Sequence, residues 1–183
     1  MQVRSGTWRD EREKPILIRL ATAEDAEAIN DIYNYYVPRS TCTYQLEPEP
    51  LAGRREWLAA HPPEHYPVTV VEVAGEVVGW GSLSKFRERA AYAPCVEASV
   101  YIRHDKHRQG LGRALLRDLI ARARGIGYHT LIGGASADQT ASVALQESLG
   151  FERVGIFREV GSKFGQRLDV IFLQLMLNGQ SRS

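Results

Sequence analysis

A change in hydrophobic periodicity near residue 110 constrains the fold of this chain more than any other feature of its sequence. Before it, three β-rich apolar runs have the pattern of strands, and they cover residues 68–74, 76–84 and 96–102. After it, apolar residues recur at helical spacing, at positions 111, 115, 119 and 123. The sequence Gly125-Ile126-Gly127 predicts the end of that helix. Strands followed by an amphipathic helix predict a mixed α/β domain.

The same signals predict the remaining elements. A strand at 16–20 precedes a helix whose apolar face includes Ile29 and Ile32 and which ends at Pro38. The elements that follow are a loop at 39–49, a helix at 50–60, a strand at 129–136, a helix at 140–149 and strands at about 151–160 and 167–177, with Gly161 and Gly165 in the last turn. The predicted order is β-α-α-β-β-β-α-β-α-β-β, a single domain over 16–177 between flexible tails at 1–15 and 178–183.

Composition excludes several classes of protein. The 183 residues are 44% hydrophobic and 25% charged, which excludes a disordered or low-complexity chain. A net charge of +1 argues against a general nucleic-acid or membrane-surface binder. The two cysteines, Cys42 and Cys95, lack metal-ligand spacing, so we expect no metal, no disulfide and a reducing, cytoplasmic environment. No apolar run is long enough to span a bilayer.

The stretch from Val100 to Leu116 carries the chemistry. It predicts a strand, a basic loop, a glycine turn and the start of a helix. A helix N-terminus offers unpaired N–H groups and a partial positive charge, while Gly110 and Gly112 allow close approach of a phosphate. The surrounding cations are Arg103, Lys106, Arg108 and Arg113, opposed only by Asp105. The alternative is a turn that has glycines only for tight packing.

The segment His107-Arg108-Gln109-Gly110-Leu111-Gly112 resembles the Q/R-x-x-G-x-G/A acetyl-CoA motif of the GNAT superfamily of acyltransferases. Within that superfamily, the chain resembles the branch of phosphinothricin and methionine sulfoximine N-acetyltransferases over about residues 16–177. The matching positions are Ile32-Tyr33-Asn34, Ser40-Thr41, Tyr44, Phe86-Arg87, Ala91-Tyr92, residues 97–102, Ser142, residues 149–151 and 161–165, and Asp169-Val170.

The resemblance implies a GNAT-like domain, in which about four helices flank a mostly antiparallel twisted sheet of about seven strands. It also implies acetyl-CoA as co-substrate, no metal and a homodimer. The implied coenzyme contacts are Val100, Tyr101 and Ile102 for the pantetheine arm, residues 108–113 (Arg108, Gln109, Gly110, Leu111, Gly112 and Arg113) for the pyrophosphate, and His107, Gln139 and Ser142.

Glu97 is the candidate general base. Acetyl transfer needs a neutral amine, so a group that accepts the amine proton helps the reaction. On a period-two strand, Glu97 shares a polar face with Cys95, Ser99 and Tyr101, whereas the opposite face is apolar and should meet the core. The residue pattern alone also fits a solvent-facing carboxylate, and the role as base is what the resemblance implies.

Three positions depart from the branch. Gln146 stands where relatives carry His or Tyr, and a glutamine amide cannot donate a proton as an acid, so we assign no general acid. Gln139 and His107 replace the usual Asn and Gln or Arg, and both can still donate hydrogen bonds. Cys95 raises the alternative of a covalent acetyl intermediate, although direct transfer is the usual route in the superfamily.

A small amino-acid substrate needs cationic donors for its carboxylate. Arg87, Arg89 and Tyr92 precede the strand that carries Glu97 and are the candidates, with a solvated loop as the alternative. The candidate opposite wall is Asn34, Tyr36, Thr41 and Tyr44, although Tyr36 also fits the core face of its helix. In a homodimer, Lys163 and Phe164 would contribute from the second subunit.

We therefore expect an acetyl-CoA-dependent N-acetyltransferase that acts on the α-amine of a small amino-acid-like compound of the phosphinothricin or methionine sulfoximine type. One alternative is another amine acceptor: a polyamine, an aminoglycoside or a protein N-terminus. A second alternative, prompted by Gln146, is an acyl-CoA-binding protein without turnover.

Overall fold

The computed structural model describes residues 16–177, so the predicted tails at 1–15 and 178–183 lie outside the described residues. The strands are β1 (Ile16–Leu20), β2 (Val68–Val73), β3 (Glu76–Lys85), β4 (Cys95–Ile102), β5 (Thr130–Ser136), β6 (Glu152–Lys163) and β7 (Gln166–Met176). The α-helices are α1 (Ala26–Tyr36), α2 (Leu51–Ala59), α3 (Leu111–Ile126) and α4 (Thr140–Glu147). Short 3₁₀ turns occupy Ala23–Asp25, Ala90–Tyr92 and His104–Lys106.

The seven described strands form one sheet in the order β1-β2-β3-β4-β5-β7-β6. Neighbouring strands are antiparallel except for β4 and β5, which are parallel. The expectation of a mixed α/β domain with a mostly antiparallel sheet is therefore confirmed.

The parallel pair at the centre of the sheet comes apart after three residues. The ladder joins Cys95 to Thr130, Val96 to Leu131 and Glu97 to Ile132. Beyond it, β4 stays paired with β3 as far as Ile102, while β5 stays paired with β7 as far as Ser136. The two strands diverge, and the edge of β4 that faces β5 has no strand partner over residues 98–102. This divergence positions the cavity described below.

Helices cover both faces of the sheet. On one face, α3 buries Leu116 and Leu119 against Leu83, Val96 and Leu131. On the other, the buried cluster is Ile29, Ile32, Val68, Val70 and Trp80, beneath α1 and α2. Ala98, Val100 and Ile102 pack on the α3 side, as the period-two pattern of β4 predicts, whereas Tyr101 packs on the α1 side.

The last hairpin differs from its prediction. Gly161 was expected in the turn, but β6 continues to Lys163 and Gly161 pairs with Leu168, so the turn is Phe164-Gly165. The reason for a glycine at 161 is close packing: an added Cβ would lie 2.5 Å from ring carbon Cε2 of Tyr44. None of the helices within residues 16–177 is long and apolar enough to cross a membrane.

Candidate functional site

A cavity of about 640 Å³ lies where β4 and β5 diverge. Its walls come from β4, from Gly134 and Ala135 of β5, from the first turn of α3 and from α4. The candidate site residues that line it are Tyr36, Glu97, Val100, Tyr101, Ile102, His107, Arg108, Gly110, Leu111, Gly112, Arg113, Gln139 and Ser142. The structure therefore brings the carboxylate candidate and the glycine-rich segment to one cavity.

The glycine-rich segment forms one mouth of the cavity. Gly110 has a left-handed backbone (φ 75°), and α3 begins at the next residue, so the N–H groups of residues 111–113 have no helical acceptor. No atom of residues 16–177 beyond its chain neighbours lies within 4 Å of where a Cβ at Gly110 would stand, which leaves the backbone open to a ligand. Lys106, Arg108 and Arg113 line this mouth. Its chemistry, unpaired N–H donors beside cations, fits a pyrophosphate.

Arg103 does not belong to the cationic mouth, contrary to the sequence-based expectation. Its guanidinium pairs with Glu76 and, at 2.7 Å from Nε to Oδ1, with Asp105. Two carboxylates neutralise it and hold it away from the cavity, whose lining does not include it. Gln109 also falls outside the lining and is exposed, although Arg108 and Gly110 on either side of it line the cavity.

Tyr36 joins α1 to the same mouth. Its hydroxyl donates to the backbone carbonyl of Ile102 and lies 2.7 Å from Nε2 of His107. Burial raises the pKa of the Tyr36 phenol, so the group stays a hydrogen-bond donor throughout the physiological range. Tyr36 therefore contacts the segment that would hold the coenzyme, although we had predicted it as part of the substrate wall.

Glu97 stands at the point where the two strands part. Its carboxylate faces Gly134 of β5, where an added Cβ would lie 3.6 Å from Oε1. Burial raises the pKa of this carboxyl above its usual value, and no cation or hydrogen bond from the part of the chain that the structure describes offsets the effect. A half-buried carboxylate with a raised pKa can accept a proton more readily than an exposed one, which suits a general base.

The Gln146 side chain packs against Gly133 of β5, in the space that a side chain at position 133 would occupy. Its side chain is 7% exposed, and a Cβ at Gly133 would lie 1.7 Å from its Oε1. The amide nitrogen lies 3.4 Å from the carbonyl oxygen of Ser142, while Oε1 has no hydrogen-bond partner among the described residues. Gln146 thus lines the cavity as a neutral amide, and it supplies no proton-donating acid.

Two residues that sequence reasoning missed, Ser40 and Cys42, line the cavity from the loop between α1 and α2. The resemblance pointed to this loop through Ser40-Thr41 but did not distinguish which side chains face inward. Cys95, the thiol that the sequence analysis considered, begins β4 and is not among the lining residues. Burial raises the pKa of both thiols.

The remaining site candidates lie outside the cavity lining, and several have structural contacts. Asn34 brackets the backbone of Glu49 with two hydrogen bonds of 2.8 Å. Thr41 is bonded to Asp138, and Tyr44 packs against Gly161. Arg87, Arg89 and Tyr92 lie on the exposed β3–β4 loop, where the Arg87 guanidinium stands 5.8 Å from the centre of the Tyr92 ring.

The two residues predicted at the end of the last hairpin differ in exposure but stay in contact, with the Lys163 ammonium 5.1 Å from the centre of the Phe164 ring. Lys163 is buried, and its ammonium donates to backbone carbonyls of its own chain. Phe164 is exposed at the tip of the turn. Among residues 16–177, no three His, Cys, Asp or Glu side chains cluster where they could hold a metal ion.

Proteins of known function resemble this chain over most of its length. Residues 18–172 match the family model of the acetyltransferase (GNAT) domain. An L-methionine sulfoximine/L-methionine sulfone acetyltransferase of Pseudomonas paraeruginosa is 40% identical over 88% of this chain and 94% of its own length. A phosphinothricin N-acetyltransferase of Streptomyces coelicolor is 32% identical over 87% of this chain and 95% of its own.

A solved acetyltransferase structure has the same fold as this chain. An acetyltransferase of Salmonella typhimurium, solved with its cofactor acetyl-CoA, superimposes with a TM-score of 0.87 at 35% sequence identity. The superposition covers 91% of this chain and 96% of that one.

Proposed function

The chain belongs to the GNAT acetyltransferase family, and from that premise we propose that it transfers an acetyl group from acetyl-CoA to the α-amine of a small amino-acid-like compound. The observation that carries the proposal is the meeting of two features in one cavity: the anion-binding mouth at residues 107–113 and the half-buried carboxylate of Glu97. Relatives named for methionine sulfoximine and phosphinothricin support this acceptor class.

The hydrogen-bond donors at one end of the cavity support our proposal that the coenzyme binds there. The free N–H groups at the start of α3, with Arg108 and Arg113, would bind the pyrophosphate of acetyl-CoA. The unpaired edge of β4 from Ala98 to Ile102 offers backbone donors and acceptors to the amides of the pantetheine arm. Bound there, acetyl-CoA supplies an activated thioester, and the chain orients it toward Glu97.

Glu97 would take the proton that the amine must lose. An α-amine titrates near ~7.7–8.0, so a large fraction of the acceptor arrives protonated at neutral pH. The carboxylate takes up that proton directly or through a water molecule, and the raised pKa makes it a better acceptor than an ordinary glutamate. Gln146 holds no acidic proton, so the coenzyme thiolate leaves without an acid from this position.

Arg87 and Arg89 would recognise the acceptor carboxylate. Their loop leaves β3 at Lys85 and enters β4 at Cys95, two residues before Glu97, so it lies at the acceptor end of the sheet. A guanidinium offers paired donors to a carboxylate. An exposed loop leaves these cations free to turn toward a bound acceptor.

We also propose a cytoplasmic homodimer. The edge strand β6 exposes four apolar side chains, each 53–57% exposed: Val154, Ile156, Phe157 and Val160. An exposed apolar edge strand is a surface that monomeric proteins avoid, so a second copy is the natural cover. The two free thiols suit a reducing compartment. Val154→Asp with Val160→Asp should halve the mass seen by analytical ultracentrifugation, and a monomeric wild type would contradict the proposal.

The test of function is release of free thiol from acetyl-CoA with a panel of acceptors. The panel contains phosphinothricin, methionine sulfoximine, ordinary amino acids, spermidine and an aminoglycoside. Release with either of the first two supports the proposal. Thiol release only with spermidine or the aminoglycoside would support the proposed use of acetyl-CoA but contradict the proposed amino-acid acceptor. Coenzyme binding without release on any acceptor would contradict the proposed reaction.

A further inference from the structure

Lys163, at the end of β6, places an ammonium group inside the protein without a carboxylate partner among the described residues. The residue is 4% exposed. Its Nζ donates to the carbonyl oxygen of Ser40 at 2.8 Å and to that of Thr43 at 2.6 Å. The ring of Phe164 also lies 5.1 Å from Nζ. Burial lowers the pKa of this ammonium, which is expected where carbonyl oxygens and a ring face, and no carboxylate among the described residues, surround the charge. A buried cation of this kind calls for a role that an apolar side chain would not fill.

Both carbonyls belong to one short loop, residues 40–43, and side chains from three other places hold the same loop. From α1, the Tyr33 hydroxyl lies 2.6 Å from Oγ1 of Thr43. From β4, the Tyr101 hydroxyl donates to the carbonyl of Cys42 at 3.3 Å. From the β5–α4 junction, Asp138 accepts a hydrogen bond of 2.6 Å from the Thr41 hydroxyl, and the Gln139 amide donates one of 2.8 Å to the same hydroxyl oxygen.

This degree of attachment is unusual for a loop without secondary structure, because such segments are generally the mobile parts of a domain. Here each of the four residues is bound by a side chain from a distant part of the chain. The loop also bonds within itself, from the N–H of Cys42 to Oγ of Ser40 at 3.1 Å. We therefore treat residues 40–43 as a fixed part of the cavity wall.

The loop lines the cavity and is bonded to a second part of its wall. Ser40 and Cys42 line the same cavity as Glu97. Thr41 is not among the lining residues, but its Oγ1 accepts a hydrogen bond from Gln139, which lines the cavity at the start of α4 and is a candidate coenzyme contact. The position of the loop therefore sets the distance between the wall that an acceptor meets and the elements that hold the coenzyme.

We propose that Lys163 is a positioning residue for the acceptor: its two hydrogen bonds to Ser40 and Thr43 fix loop 40–43 as the wall against which the acceptor amine is aligned with Glu97. The inference rests on the proposed acetyl transfer, and it assigns to Lys163 a role within its own subunit. Release of the loop would misplace the acceptor and leave the coenzyme mouth at residues 107–113 intact.

The test compares Lys163→Met with Arg167→Met. The first keeps an unbranched side chain and removes the ammonium, while the second removes an exposed cation of the same hairpin. In Lys163→Met, KM for the acceptor should rise on the order of tenfold to a hundredfold, because misplacement of a reactant by about 1 Å has effects of that size. Affinity for acetyl-CoA, measured by calorimetry, should be unchanged, and Arg167→Met should match the wild type in both.

A second measurement follows the loop without turnover. In a Cys95→Ala background, Cys42 is the one remaining cysteine of the sequence, so the rate of its labelling by a maleimide reports on the loop. Lys163→Met should label faster than its parent, and Arg167→Met should not. Unchanged labelling would overturn the role of Lys163 in holding the loop, and faster labelling with an unchanged acceptor KM would overturn its role in alignment. A folded wild type that is inactive on every acceptor would instead contradict the proposed function.

Discussion

Glu97→Gln separates the chemical role of the carboxylate from its place in the fold. The change replaces one carboxylate oxygen by an amide nitrogen, so the shape of the side chain is kept. Burial raises the pKa of Glu97, and no cation or hydrogen-bond donor among residues 16–177 contributes to the shift, so the variant loses no such partner there. Any fall in activity then measures proton transfer.

The size of the effect follows from the role. Loss of a positioned base costs roughly 10²–10⁴ in rate, which is about 2.7–5.5 kcal/mol of barrier at about 1.36 kcal/mol for each factor of ten. The defect should shrink as pH approaches the acceptor amine's own pKa, because more of the amine is then already neutral. In the wild type, kcat/KM should rise with pH through a pKa above the usual carboxyl value of 4.5.

As pH rises, the wild type should gain activity and lose free energy of unfolding relative to Glu97→Gln. A carboxyl whose pKa is raised by folding binds its proton more tightly in the native state than in the unfolded state. The wild type therefore loses stability relative to Glu97→Gln as pH rises through the native pKa, and the two converge at acid pH. Urea unfolding at neutral and acid pH measures this difference, with Glu56→Gln, an exposed helical glutamate, as the control.

The assay is steady-state thiol release with the best acceptor, over pH, together with calorimetric binding of acetyl-CoA. Glu56→Gln should follow the wild-type profile. A folded Glu97→Gln that binds acetyl-CoA and keeps most of the wild-type turnover near neutral pH would refute the reasoning. In that case the acceptor would lose its proton to water or to another group of the cavity.

Three further changes test other parts of the site. Gly133→Ala would place a Cβ 1.7 Å from Oε1 of Gln146, so it should destabilise the fold by about 1–3 kcal/mol and weaken acetyl-CoA binding. The control is Gly155→Ala, because the space around a Cβ there is open. Equal melting temperatures and equal acetyl-CoA affinities for the two variants would contradict this packing. Arg87→Ala should raise KM for an amino-acid acceptor at constant coenzyme affinity, and an unchanged KM removes Arg87 from carboxylate recognition. Cys95→Ala should keep its turnover in the thiol-release assay, whereas complete loss in a folded variant would argue for a covalent intermediate at that thiol.

Much of the site could be predicted from local pattern because its key features are local. A glycine turn between a strand and a helix creates free N–H groups wherever it occurs, so residues 107–113 identify an anion site without knowledge of the rest of the chain. The period-two alternation of β4 likewise places Glu97 and Val96 on opposite faces.

Other residues could not be assigned in this way, because a polar side chain in a loop has no preferred face. The sequence analysis predicted Lys163 as a substrate contact from a second subunit, whereas the side chain is buried against carbonyls some 120 residues away in its own chain. Cys42 gives no sequence signal that separates it from Cys95, and only the first of the two lines the cavity. Gly161 resembles a turn glycine, and the Tyr44 ring that requires it belongs to a distant loop.

The sequence by itself determined the order of elements, the mixed α/β class, the family resemblance and the anion-binding turn, because hydrophobic period, glycines and helix termini act over a few residues. Only the tertiary structure decided that β4 and β5 part after Glu97 to open a cavity, and that loop 40–43 is held from four directions. Those outcomes depend on which distant strands pair and which side chains are buried together. Such long-range contacts are set by packing of the whole domain and leave no short-range pattern in the chain.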